Sequence, residues 1–182
     1  LDPEGSLMSR SMSRIRKSLL VGLGAAVLVL AGTAAHAVLT GGGGTYTDLQ
    51  RYVNESNPWS TSAGAFVDVP GAATTITIPS GTRRMLDARY TAESQCGGGG
   101  WCSVRIVVVR PNGSVLELYP QSGTDFAFDS GSADNWESHA IERTSPYLPA
   151  GTYRVKVQAG VVAGATSLRL DDWTLAVERI RP

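Results

Sequence analysis

The chain is predicted to be all-β, an antiparallel β-sandwich or jelly roll with about nine strands and one disulfide. Three observations carry that prediction. From Ala65 onward, apolar and polar residues alternate with a period close to two, and Val, Ile, Thr, Tyr and Phe recur. Gly, Pro, Asn and Ser break the pattern at regular intervals, which is how short strands are separated by turns. No stretch after residue 63 sustains a helical period.

The N-terminal part is of a different kind. After "LDPEGSL", which fits neither a signal nor a domain and is set aside as a remnant, Arg10, Arg14, Arg16 and Lys17 precede the apolar run Leu19 to Gly32 and then Ala35-His36-Ala37. This is the three-part layout of a secretory signal peptide, with cleavage expected after Ala37. The apolar run, about 14 residues, is shorter than the roughly 20 needed to span a bilayer, so no stable membrane anchor is expected. The predicted location is extracellular, with residues 1–37 removed. No cysteine follows the apolar run and "VERIRP" has no apolar tail, so a product released into solution is expected.

The whole chain has 16 basic and 16 acidic side chains. Removing the leader takes away more basic than acidic ones, and the slightly acidic remainder argues against nucleic acid or an anionic membrane as partner.

Residues 38–63 read as a flexible N-terminal arm. "VLTGGGG" is flexible, while Thr47 lies three residues before Gln50 in a capping-box arrangement, with Leu49, Tyr52 and Val53 at helical spacing. A short helix and an extended docking arm both fit. Residues 64–182 form the predicted jelly-roll domain. Its strand segments are "AFVDVPG", "TTITIPSG", "RRMLDARYTAES", "CSVRIVVVRPNG", "SVLELYP", "TDFAFDS", "WESHAIERTS", "GTYRVKVQAG" and "TSLRLDDWTLAVERI". Period two puts Ile76 with Ile78, Leu86 with Ala88 and Tyr90, and Tyr153 with Val155 and Val157 on shared faces. "VRPNGSV" predicts a hairpin turn, with Gly113 taking the positive-φ position.

In "SQCGGGGWCS", Cys96 and Cys102 are the only two cysteines. In an oxidising compartment, an even pair is most simply one disulfide. Five residues separate them, unlike a Cys-x-x-Cys redox centre, and a structural zinc site would need two more cysteine or histidine ligands where the mature chain offers only His139, so zinc is not expected. Glycines at 97–100 can turn the chain back so that the sulfurs meet.

Few residues suggest chemistry. No Gly-x-Ser-x-Gly elbow is present, and Ser138 projects to the opposite face from His139, so no hydrolase and no catalytic residues are expected. The loop "GTDFAFDSGSADNWE" gathers Asp125, Asp129, Asp134 and Glu137, a set able to hold calcium, although these are also ordinary turn residues. Asp171-Asp172-Trp173 interrupts an apolar strand and predicts a bulge. An inward carboxylate there would pair with Arg105, Arg143 or Arg154, or grip a ligand. Trp101 and Trp136 lie beside loops and, with Asp171, Asp172 and Trp173, are the candidate ligand-binding residues. Trp59 completes the set of four tryptophans, which more often pack a core than stack on sugars.

At "WCSVRI", "GTDFAFDS", "WESHAIERTSPYLPAGTYRVKVQ" and "LRLDDWTLAVERI" the chain resembles the small secreted jelly-roll domains common in actinobacterial exported proteins. Its closing Pro-x-Gly-Thr-Tyr strand and Leu-x-Val rhythm are similar to the last strands of C1q/TNF-like jelly rolls. The resemblance covers roughly residues 65 to 180. It implies the fold, an extracellular setting and trimeric association, and brings no catalytic residues. The sequence therefore predicts a non-enzymatic module that binds a protein partner or itself. The alternative is a carbohydrate- or calcium-dependent ligand-binding domain.

Overall fold

The computed structural model describes residues 47–122, 126–130 and 135–182. The expected leader, the glycine-rich lead, and Asp125 and Asp134 of the predicted calcium loop lie outside the described residues. Among the described residues there is no helix, and nine strands occur: β1 (Thr47–Glu55), β2 (Trp59–Thr61), β3 (Val67–Gly98), β4 (Trp101–Val109), β5 (Val115–Glu117), β6 (Asp129–Ser130), β7 (Glu137–Thr144), β8 (Leu148–Val162) and β9 (Ala165–Ile180). All pairings are antiparallel.

The expected β-sandwich is found, and one strand joins its two sheets. The first half of β3 pairs with β8 through Arg84–Leu148, and the second half pairs with β9 from Met85 onward and with β7. The register shifts between Ile78 and Arg83, where Pro79, Ser80 and Gly81 lie and Gly81 takes φ 73°. Pro cannot donate to a ladder and Gly tolerates the turn, so three predicted segments, "AFVDVPG", "TTITIPSG" and "RRMLDARYTAES", become one bent strand. Sheet one contains β1 and β2, both on β9, then the second half of β3, then β7. Sheet two contains the first half of β3, then β8, β4, and finally β5 and β6.

The core lies between the sheets and follows the predicted alternation. Ile76, Ile78, Leu86, Ala88, Tyr90, Tyr153, Val155 and Val157 are all buried. The predicted hairpin also forms: Gly113 has φ 81°, its amide donates to the Arg110 carbonyl at 2.9 Å, and Asn112 Oδ1 accepts from the Ser114 amide.

The capping-box stretch is a strand. Residues 47–55 pair with β9 from Ile180 to Trp173, and Leu49 and Val53 pack against the core. Pairing with β9 satisfies the backbone of this segment, an interaction that local spacing cannot reveal. Residues 47–61 are therefore part of sheet one.

Candidate functional site

The disulfide Cys96–Cys102 forms as expected, with Cα atoms 5.8 Å apart. It joins the end of β3 to the start of β4. Two residues before Cys96, on the same inward face, is the fully buried Ser94. Asp129 on β6 pairs with Cys102, and the Phe128 amide donates to the Cys102 carbonyl at 2.9 Å. On the other side of β3, Glu137 pairs with Ser94 and His139 with Ala92. The staple and two strand pairings thus bring Ser94, Asp129, Glu137 and His139 to one rim of the sandwich.

These side chains form a chain of contacts. Ser94 Oγ donates to Asp129 Oδ2 at 2.7 Å and lies 2.9 Å from His139 Nδ1. Since the serine proton points to the carboxylate, the oxygen is left to accept from Nδ1–H. That fixes the tautomer and leaves Nε2 as the basic nitrogen, 3.5 Å from Glu137 Oε2. The imidazole also packs on Phe128, with ring centroids 5.5 Å apart. Serine, histidine and aspartate meet here in the wrong order for acyl transfer. A nucleophile needs the histidine between it and the acid, and an exposed hydroxyl; Ser94 sits in the middle, fully buried.

The outer face of sheet one at this end is polar. Register aligns Ser60, Arg169 and Gln95 in one row, and Asp171, Glu93 and Ser138 in the next. Trp136 lies over this face with the Arg169 guanidinium 4.9 Å from its ring centroid. Arg169 in turn donates to Gln95 Oε1 at 3.1 Å. The ring remains 39 % exposed, an anchored aromatic surface among hydrogen-bonding groups.

The other predicted residues separate. Trp173 is 2 % exposed, its ring 6.1 Å from that of Tyr90, and is a core residue. The predicted bulge is present: the register against β3 shifts between Thr91 and Glu93, and Asp172 has φ 42°. The extra residue lets Leu170 and Trp173 both point inward and turns Asp172 out to solvent. Asp171 is half-buried on the outer face, where its Oδ1 accepts from the Asp172 amide at 2.9 Å. Neither carboxylate is the inward partner of Arg105, Arg143 or Arg154. Arg105 pairs with Glu117 at 3.2 Å, and Arg143 reaches Ser122 at the other end of β7. Trp101 is half-buried, next to the disulfide.

A second acidic group spans sheet one. Asp87 pairs with Glu178 on β9 and neighbours Glu142 on β7, and burial, reinforced by these two carboxylates, pushes its carboxyl pKa up to about 6.

No family model and no curated protein matches the chain. Solved structures match at low identity. The VP2 subviral particle of infectious bursal disease virus aligns at 12 % identity and a TM-score of 0.42, covering 81 % of this chain and 36 % of that one. A carbohydrate-binding module from the lichenase 5A of Cellvibrio mixtus, in complex with cellotriose, aligns at 15 % identity and a TM-score of 0.29, covering 76 % and 92 %. A family two carbohydrate esterase from Cellvibrio japonicus aligns at 16 % identity and 0.24, covering 74 % and 35 %. The chain spans about a third of the length of the viral protein. At these TM-scores the likenesses carry no argument about activity or ligand.

Proposed function

We propose that this chain is an extracellular, non-enzymatic binding module that holds a saccharide against Trp136 on the outer face of sheet one. The observation that supports it is the exposed indole, braced by Arg169 and flanked by two rows of polar side chains. A pyranose ring offers apolar C–H groups to an aromatic face and hydroxyls to the carboxylates, amides and guanidinium beside it. The polar rows beside Trp136 lie on the paired strands β3, β7 and β9. A glycan array tests this directly: the chain is expected to retain one class of oligosaccharide, and Trp136→Ala to lose it while melting unchanged. Absence of any retained glycan, or retention undiminished in Trp136→Ala, overturns the proposal.

A second reading, self-association, has its own observation. β1 is an edge strand paired only with β9, and Tyr52 on it is 66 % exposed. Unpaired strand edges are templates for another chain. Light scattering separates the outcomes: a dimer or trimer dispersed by Tyr52→Lys supports this edge as the contact, and a monomer removes it.

A further inference from the structure

We propose that Asp129, Glu137 and His139 form a site for a divalent transition-metal ion of the zinc class at the rim of the sandwich. One ligand atom from each lies within 4.8 Å of the others. Three features of the cluster suit a cation.

The first is charge. Asp129 is 5 % exposed, and a buried carboxylate requires compensation by a cation or by several donors. Among the described residues it accepts a hydrogen bond from the neutral Ser94 hydroxyl. Among the described residues no lysine or arginine forms an ion pair with it. The neighbouring segments 123–125 and 131–134 contain no lysine or arginine.

The second is the orientation of the imidazole. With Nδ1–H directed to Ser94, the Nε2 lone pair faces the Glu137 carboxylate at 3.5 Å. A cation seated between these two atoms would be bound by both. A zinc ion with bonds of about 2.0–2.2 Å in tetrahedral geometry places its nitrogen and oxygen ligands about 3.4 Å apart, close to the separation found.

The third is the support behind the ligand. Metal-binding histidines commonly donate the remote ring N–H to a carboxylate or another acceptor, which sets the tautomer and raises basicity. His139 Nδ1 has such an acceptor in Ser94 Oγ at 2.9 Å, on the strand whose end the Cys96–Cys102 staple fixes.

The donor set selects the ion. Calcium takes six to eight oxygens, whereas one imidazole with two carboxylates suits zinc and its neighbours. A fourth position is open on the side of Glu137, whose side chain is 58 % exposed. This site is independent of the saccharide platform, because Trp136 supplies none of the ligands.

The test uses the full chain without a polyhistidine tag, stripped with EDTA and titrated calorimetrically with zinc chloride and then with calcium chloride. One equivalent of zinc is expected, with calcium binding far more weakly. Glu137→Gln alters an exposed side chain and keeps the fold, and it should weaken zinc binding at least tenfold. Ser94→Ala should weaken it about 10- to 100-fold by releasing the imidazole. Trp136→Ala should bind zinc as the parent chain does, so that loss of saccharide and loss of metal remain distinguishable. No zinc uptake would mean that the cluster binds no ion. Uptake unchanged in Glu137→Gln combined with His139→Gln would place the metal elsewhere. Either result overturns the proposal.

Discussion

Two tryptophans show how burial divides the labour of one residue type. Trp173 packs against Tyr90 and lies over Gly71, where a Cβ would fall 3.4 Å from its ring, whereas Trp136 stands on the surface. Trp173→Ala should therefore cost ~3–5 kcal/mol in denaturant melts. Trp136→Ala should stay within ~0.5 kcal/mol of the parent chain. Asp87 makes a different prediction. Its folded pKa, near 6, lies above the unfolded value, so the fold binds this proton more tightly than the unfolded chain does. The resulting stabilisation is full below the unfolded pKa, about 3.9, and is lost as pH rises through about 6. Asp87→Asn should accordingly raise the melting temperature relative to the parent at pH 8, and the difference should vanish near pH 4. A constant difference across that range would mean that the Asp87 carboxyl is not perturbed.

At the level of strands and turns, Gly98 and Gly100 of the glycine run are explained by what they pack against. A Cβ on Gly100 would lie 2.3 Å from the Ala163 carbonyl and 2.4 Å from that of Val162, backbone atoms at the end of β8 and in the turn that follows, while a Cβ on Gly99 would meet nothing. Gly100→Ala should thus lower the melting temperature markedly and Gly99→Ala hardly at all. The Cys96–Cys102 ring is short, and Cys96→Ser should cost ~2 kcal/mol on the chain-entropy account, which for a domain this size is a drop of several degrees.

Strands whose evidence is local were legible in the sequence. Ile76 with Ile78, and Tyr153 with Val155, declare their inward face by period two, and the three-residue step from Leu170 to Trp173 announces the bulge. β1 was not legible as a strand, since Leu49, Tyr52 and Val53 fit a helical spacing equally well and only pairing with β9 decides the matter. The rim cluster was half legible: Asp129 and Glu137 stand out in an acidic loop. Ser94 and His139, 45 positions apart, meet only through the β3–β7 register, and a serine in a strand gives no signal of its own.

Across the whole molecule, the two candidate surfaces occupy one end of the sandwich, where the disulfide and the β3–β7 and β3–β9 registers hold them. The opposite end contains the Pro111, Pro146 and Pro149 turns and Tyr153, whose hydroxyl donates to the Pro149 carbonyl at 2.8 Å. The proposed recognition face borders the paired strands β3, β7 and β9, and a ligand should bind there without reordering them. Amide chemical-shift mapping during titration with an oligosaccharide retained on the array tests that assignment most directly. The account predicts shifts confined to Trp136, Arg169, Gln95, Glu93 and Ser138 and their neighbours. Shifts centred on the proline turns, or spread along β1, would contradict it.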